Sequence, residues 1–202
     1  MGFGLLFIGY LSLLFFKVLP PAMLVGQYLA CRGLKKLTAY ESAFRPAYLL
    51  SFALSVYFAV YTAFWIAAIA GFFDIRASLF ILIDDIIYKL LLIAWHILLL
   101  RAFETICTTV GYDGGVKRSR LCRVFLITYI FVWVLRVVTS FFYANPYFTL
   151  AELIFLLGFL IMTAALIYSC YMRIATPSII EEETRKMREY DEKYSFRTKK
   201  KK

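Results

Sequence analysis

The chain alternates between long apolar runs and short polar breaks. Residues 45–73, 77–110, 121–143 and 147–172 are apolar almost throughout, and each exceeds the ~20 residues a helix needs to cross a ~30 Å hydrocarbon core. The breaks read as turns: Phe73-Asp74-Ile75-Arg76, the glycine-rich loop at 111–115, and Ala144-Asn145-Pro146. Four membrane-spanning helices follow from this pattern.

The first forty residues admit two arrangements. One is a single helix over residues 3–31, kinked at Pro20-Pro21; the other is a hairpin of helices over 3–18 and 20–37. In the single helix Lys17 falls at mid-bilayer, at about 2.5–3.5 kcal/mol on insertion scales. In the hairpin Lys17 and Pro20 lie at the turn, and Pro21 takes the first-turn position that tolerates it. The first arm is short, since sixteen residues rise only ~24 Å, which implies local thinning of the bilayer. The hairpin is the favoured reading. The expected fold is therefore an all-α polytopic membrane bundle of six transmembrane or re-entrant helices, five if the first two are one kinked helix. A short cytoplasmic C-terminal helix follows. The expected division is a helical bundle over 1–174 and a charged tail over 175–202.

Composition supports the membrane assignment. Hydrophobic residues make up 62% of the 202, and mean hydropathy is +0.75. Soluble domains carry ~45–50% apolar residues, and a globule this small has no interior for the excess. No segment reads as a cleaved signal: Met1-Gly2-Phe3-Gly4 lacks a charged start. Leu29-Ala30-Cys31 is a poor lipoprotein site, with Tyr28 before it and Arg32 after.

The net charge of +10 suggests nucleic acid at first, but the basic residues are not interleaved with aromatics on one face. They cluster between apolar runs instead. With the C-terminus inside, Arg32, Lys35, Lys36, Arg45, Arg101, Lys117, Arg118, Arg120, Arg123, Arg173 and the tail place nineteen of 23 on the cytoplasmic side. The positive-inside rule then fixes a cytoplasmic C-terminus in the cell membrane, and six helices put the N-terminus there too.

The opening Met1-Gly2-Phe3-Gly4-Leu5-Leu6-Phe7-Ile8-Gly9-Tyr10, with Gly33-Leu34-Lys35-Lys36-Leu37 and Tyr40 closing the hairpin, resembles a group of uncharacterised small multi-pass membrane proteins of Gram-positive bacteria. The resemblance implies a bacterial inner membrane and a helical hairpin, and carries no activity or functional residues.

Ionisable residues inside the spans are the strongest candidate chemistry. The 77–110 helix holds Asp84, Asp85, Lys89 and His96, and at about 100° per residue the last three share one stripe. Arg136 and Glu152 lie on the next two helices. Counting from the outer helix ends puts Asp84 and Asp85 ~11 Å deep, Arg136 ~10 Å and Glu152 ~8 Å, with Lys89 deeper, near the midplane. Two readings follow. In one, Asp84, Asp85, Lys89, Arg136 and Glu152 form an outward-facing pocket for a cation or small charged solute. In the other they form a closed structural network, Asp85 paired to Lys89 and Arg136 crossing to Glu152 or Asp84. Inverted repeats and broken mid-span helices, which mark many transporter sites, are not evident.

Other candidates are weaker. His96, the single histidine, is counted ~28 Å from the outer end, as a structural residue in the cytoplasmic aromatic belt beside Trp95. Cys31, Cys107, Cys122 and Cys170 fall near cytoplasmic helix ends without metal-ligand spacing, and no metal or other cofactor is expected. The Glu181-Glu182-Glu183 run carries Met187 where a prenyl-protein peptidase motif needs arginine. Asp84-Asp85 lacks the third aspartate of a prenyltransferase, and 111–115 lacks a P-loop ending. No catalytic residue is assigned, and the reading leans away from an enzyme.

From Ser178 onward Ile180, Met187, Tyr190 and Tyr194 form a narrow stripe with favourable i,i+4 charge pairs, suggesting a short helix that docks on the loops or on a partner through residues 178–194. Lys199, Lys200, Lys201 and Lys202 suit anionic headgroups, at about 1 kcal/mol each near the surface. The sequence thus favours a non-catalytic membrane component, a scaffold, sensor or regulatory subunit. A solute-binding or transport subunit is second and an enzyme third. No nucleic-acid partner is expected.

Overall fold

The computed structural model describes residues 2–15, 19–71, 78–140 and 146–175. These form six α-helices: α1 (Gly2–Leu11), α2 (Pro20–Leu37), α3 (Arg45–Ile69), α4 (Ser78–Thr109), α5 (Asp113–Ser140) and α6 (Pro146–Cys170). A 3₁₀ turn, Ser12–Phe15, continues α1, and a wider π turn, Tyr171–Ala175, continues α6. The helices α3 to α6 are each long and apolar enough to cross a membrane. In such a helix every interior backbone N–H and C=O is satisfied within the segment, as a hydrocarbon surround requires. The protein is a multi-pass membrane protein. The tail, including 178–194 and Lys199 to Lys202, lies outside the described residues, as do Lys17 and Arg76.

The first two helices form an antiparallel hairpin, and glycine makes it possible. Gly2 and Gly9 of α1 face Gly26, Ala30 and Gly33 of α2. A Cβ at Gly33 would lie 2.6 Å from the Leu6 backbone N and 2.7 Å from the Gly2 carbonyl, while one at Gly9 would fall onto Ala30 and Gly26. Small residues at helix contacts let backbones approach and exchange dispersion contacts where lipid gives no hydrophobic drive. Pro20 and Pro21 open α2 at its first two positions, where their missing donors are orphans in any helix. Ten residues of α1 rise only ~15 Å, so this arm is held by packing rather than by span length.

Aromatic contacts show which helix ends lie together. Phe3 packs on Phe44 and Phe103, with ring centroids 6.3 and 6.0 Å apart. Phe7 meets Tyr168 at 5.6 Å, and Arg173 lies over the Tyr112 ring. The start of α1 therefore sits beside the start of α3, the α4–α5 turn and the end of α6. This end carries Arg32, Lys35, Lys36, Arg45, Arg101, Lys117, Arg118, Arg120, Arg123 and Arg173, and is called the basic end below.

The central strut is α4. Half of its most apolar window is buried, against 17% for α3. Trp95, Tyr129, Phe103 and Phe159 fill the core around it, while Phe52, Val60, Ile127, Phe131, Ile154 and Ile161 point outward as a lipid-facing surface would. At the basic end α4 stops at Gly111, whose φ of +72° an L side chain rarely adopts. Of the stretch expected as a loop, Gly111 and Tyr112 form the turn, whereas Asp113, Gly114 and Gly115 are already the first turn of α5; a Cβ at Gly115 would collide with Cys107 and the Tyr112 ring. Lys117, Arg118 and Arg120 consequently ride on a helix rather than in a loop.

Candidate functional site

Asp85 and Lys89 stand one turn apart on α4, on the face that meets α5 and α6. Lys89 Nζ donates to Asp85 Oδ2 at 2.9 Å and to Glu152 Oε1 at 2.5 Å. From α5, Arg136 Nη2 donates to the same Asp85 Oδ2 at 2.9 Å, and Arg136 Nε lies 2.5 Å from Glu152 Oε2. The Nε–H is not aimed along that last contact, so it is an ion pair by distance and not a hydrogen bond. Four charges from three helices thus alternate in a closed ring, two cations and two anions, formally neutral. The Lys89 ammonium is also 6.0 Å from the Trp133 ring centroid, at the outer limit of a cation–π contact.

The ring is unevenly covered. Lys89 and Glu152 side chains are 10% and 7% exposed, whereas Asp85 and Arg136 keep 32% and 25%. Its inner edge is therefore buried and its rim open.

Asp84 belongs to another neighbourhood. Adjacent residues on a helix point about 100° apart, so with Asp85 in the ring Asp84 turns toward α3. There the Tyr57 hydroxyl donates to Asp84 Oδ1 at 2.5 Å. Tyr57 stacks between Tyr61 and Tyr88, each 6.2 Å away between ring centroids. Of the five residues singled out from the sequence, four are joined, and Asp84 is tied to a tyrosine that the sequence reading did not name. Arg136 crosses to Glu152 as one expectation had it, and its other partner is Asp85, not Asp84.

A second ionic cluster closes the opposite end of α4, where Glu104 accepts Arg120 Nε at 3.2 Å and also pairs with Arg123. From Asp85 to Glu104 is nineteen residues, or ~28.5 Å of helix rise. That is close to the ~30 Å hydrocarbon thickness.

His96 stands between the two clusters, eleven residues from Asp85 and eight from Glu104, ~16.5 and ~12 Å by rise. His96 and Trp95 are both completely buried. His96 Nδ1 is 2.7 Å from the Leu92 carbonyl, which can only accept, so Nδ1 carries the proton. Nε2 then accepts from the Tyr10 hydroxyl at 2.8 Å. Phe159 and Trp95 close edge-on over the ring at 4.7 and 5.0 Å. The neutral imidazole locks the α1–α2 hairpin to the strut, and Gln27, donating to Ser51 Oγ at 2.9 Å, ties the hairpin to α3.

All four cysteines are free and buried, and Cys107 and Cys170 bring their sulfurs to 3.6 Å. Among the described residues no group of three or more His, Cys, Asp or Glu could hold a metal ion. Sequence reading missed three structural features. They are the small-residue stripe of the hairpin, the Tyr57 partner of Asp84, and the Tyr10–His96 contact. The first had a signal in the spacing of Gly2 and Gly9 and of Gly26, Ala30 and Gly33; the other two join residues far apart in the chain and had none.

No family model, curated protein or solved structure matches the chain.

Proposed function

We propose that the protein is a non-catalytic component of a bacterial cell membrane, a scaffold, sensor or regulatory subunit. It works through the polar loops of the basic end and the tail that follows residue 174. The observation that carries this reading is the ring. The intramembrane charges of Asp85, Lys89, Arg136 and Glu152 are spent on one another, and a charge already paired inside a bundle satisfies its desolvation cost without a ligand. What is left to engage a partner is the basic end, with ten Lys and Arg side chains among the described residues. The positive-inside rule puts that end, and with it both termini, in the cytoplasm. The tail then meets anionic headgroups through Lys199 to Lys202 and a protein partner through residues 178–194.

One observation favours a second reading, a solute- or ion-binding subunit: the Asp85 side chain is 32% exposed, so the helices leave the rim of the ring uncovered. Two experiments separate the readings. In cells lacking the native protein, deletion of residues 178–202 is expected to abolish whatever phenotype the full chain restores, while Arg136→Gln at normal accumulation retains it. The opposite pattern overturns the proposal. In a chain with its native cysteines replaced, Asp85→Cys is expected to resist a membrane-impermeant thiol reagent that labels Ala70→Cys from outside. Rapid labelling of Asp85→Cys would put the binding reading first.

A further inference from the structure

On the outer face of the hairpin, α2 and α3 leave an open groove of about 410 Å³ lined by Leu24, Val25, Tyr28, Ser55, Val56 and Ala59. Its shape comes from α3, where Ser55 and Ala59, one turn apart, present little bulk opposite Leu24 and Val25. Its surface is hydrocarbon in character. The Ser55 hydroxyl is turned onto its own helix, donating to the Ser51 carbonyl at 2.9 Å.

Both walls run into cationic side chains at the basic end. On α2, Arg32 and Lys35 lie within about 40° of Tyr28 around the helix axis, so the groove stripe continues into them. On α3 the stripe of Ala59 and Val56 continues through Phe52 and Tyr48 to Arg45 by the same periodicity. Arg32, Lys35 and Arg45 are all exposed, and the Arg32 guanidinium carbon is 5.6 Å from the Tyr28 ring centroid, at the groove's mouth. The nearest acid in sequence, Glu41, is engaged in capping, its Oε1 accepting from Ala43 N at 3.2 Å. From Leu24 to Arg32 is ~12 Å of rise, so the cations stand just beyond an apolar trough.

A trough of carbon capped by two or three cations and a tyrosine matches one amphiphile of the bilayer. We infer that this groove binds an anionic glycerophospholipid, an acyl chain lying along Val25, Val56 and Ala59 and the phosphate held by Arg32, Lys35 and Arg45. Arginine suits the phosphate because its planar fork can make two parallel hydrogen bonds. Basic pockets between helices on the cytoplasmic side are the general setting for such headgroups. The inference does not depend on whether the ion ring binds anything.

The site is tested with the full chain carrying Phe52→Trp, an aromatic exchange at a 57% exposed position between groove and mouth. It is reconstituted in phosphatidylcholine vesicles containing a minority of brominated phosphatidylglycerol or brominated phosphatidylcholine. Emission of the introduced indole is obtained by subtracting the otherwise identical chain. At equal mole fraction the brominated phosphatidylglycerol is expected to quench more strongly. Arg32→Gln with Lys35→Gln should lower that preference about twenty-five-fold, each cation near the surface being worth roughly fivefold. Ala59→Phe, at an exposed position where folding is not at stake, should abolish it with the cations intact. Equal quenching by the two lipids overturns the inference. So does a preference that survives filling of the groove, which would place the lipid elsewhere on the basic surface. A dimer that Ala59→Phe dissolves would assign the groove to a second copy and overturn it as well.

Discussion

Replacing Lys89 by methionine tests the ion ring directly. The side chain keeps its length and loses its charge, leaving Glu152 and Asp85 to share Arg136. Two magnitudes compete for the size of the effect. Hydrogen bonds between membrane helices average ~0.6 kcal/mol and reach ~1.7, whereas removing one partner of a buried ion pair costs about 3–5 kcal/mol. Lys89 and Glu152 are 10% and 7% exposed and 2.5 Å apart, so the buried-pair figure governs that contact. Asp85, at 32% exposed, is less buried, so its contact with Lys89 adds less. The expected loss is therefore about 3 kcal/mol, the low end of the range. At about 2–4 °C per kcal/mol for a chain of this size, that is a fall of roughly 6–12 °C in Tm. The assay uses the protein's own thiols, since all four cysteines are buried and react with a thiol-sensitive dye only as the bundle opens. Combining Lys89→Met with Glu152→Met removes both charges of the buried pair and leaves Asp85 with Arg136. The double variant is expected to fall by less than the sum of the two singles, with a coupling of about 2 kcal/mol, inside the range for residues in contact. The reasoning is refuted if Lys89→Met leaves Tm unchanged, or if the double variant falls by the sum of the two singles. A rise in Tm on losing Lys89 would mean the ring is held at a cost to stability, as binding sites are, and would favour the solute-binding reading.

Two further substitutions address the hairpin by the same melting assay. Gly9→Ala places a methyl group against the Ala30 and Gly26 backbones and is expected to lower Tm or abolish accumulation, while Gly158→Ala, with nothing within 4 Å, should be neutral or stabilising by up to about 1 kcal/mol of helix propensity; equal effects would refute the close packing. Tyr10→Phe leaves His96 Nε2 buried without a donor and is expected to cost about 1–3 kcal/mol, and an unchanged Tm would mean that the His96 contact contributes nothing.

Much of this architecture was legible because lipid imposes length. Runs of over twenty apolar residues can only be spans, and Pro20-Pro21 beside Lys17 made a hairpin cheaper than a kinked helix. Helical rise also sufficed to put Asp85, Arg136 and Glu152 at similar depth, with Lys89 one turn beyond Asp85. Depth alone, however, does not assign partners. Asp84 and Asp85 differ by one residue and 100° of azimuth, and only the packing of α3 against α4 decides that Asp84 meets Tyr57. The glycine stripe was written in the chain at seven- and four-residue intervals, but inspection for turns and apolarity passes over small residues inside helices. Tyr10 and His96, 86 residues apart, share no local signal at all.

The ring also has a history within each molecule's synthesis. Lys89 and Asp85 lie on one helix and can pair as soon as α4 forms, but Arg136 follows Asp85 by 51 residues and Glu152 follows Lys89 by 63. At about 5–20 residues per second of translation, Glu152 is made roughly 3–13 s after Lys89. For that interval α4 stands in the membrane with an unfinished set of charges, and the molecule is complete only when its last helix arrives. Closure of the ring thus marks the arrival of α6, and a chain truncated before α6 would display an uncompensated lysine or arginine to whatever surveys the bilayer for incomplete proteins.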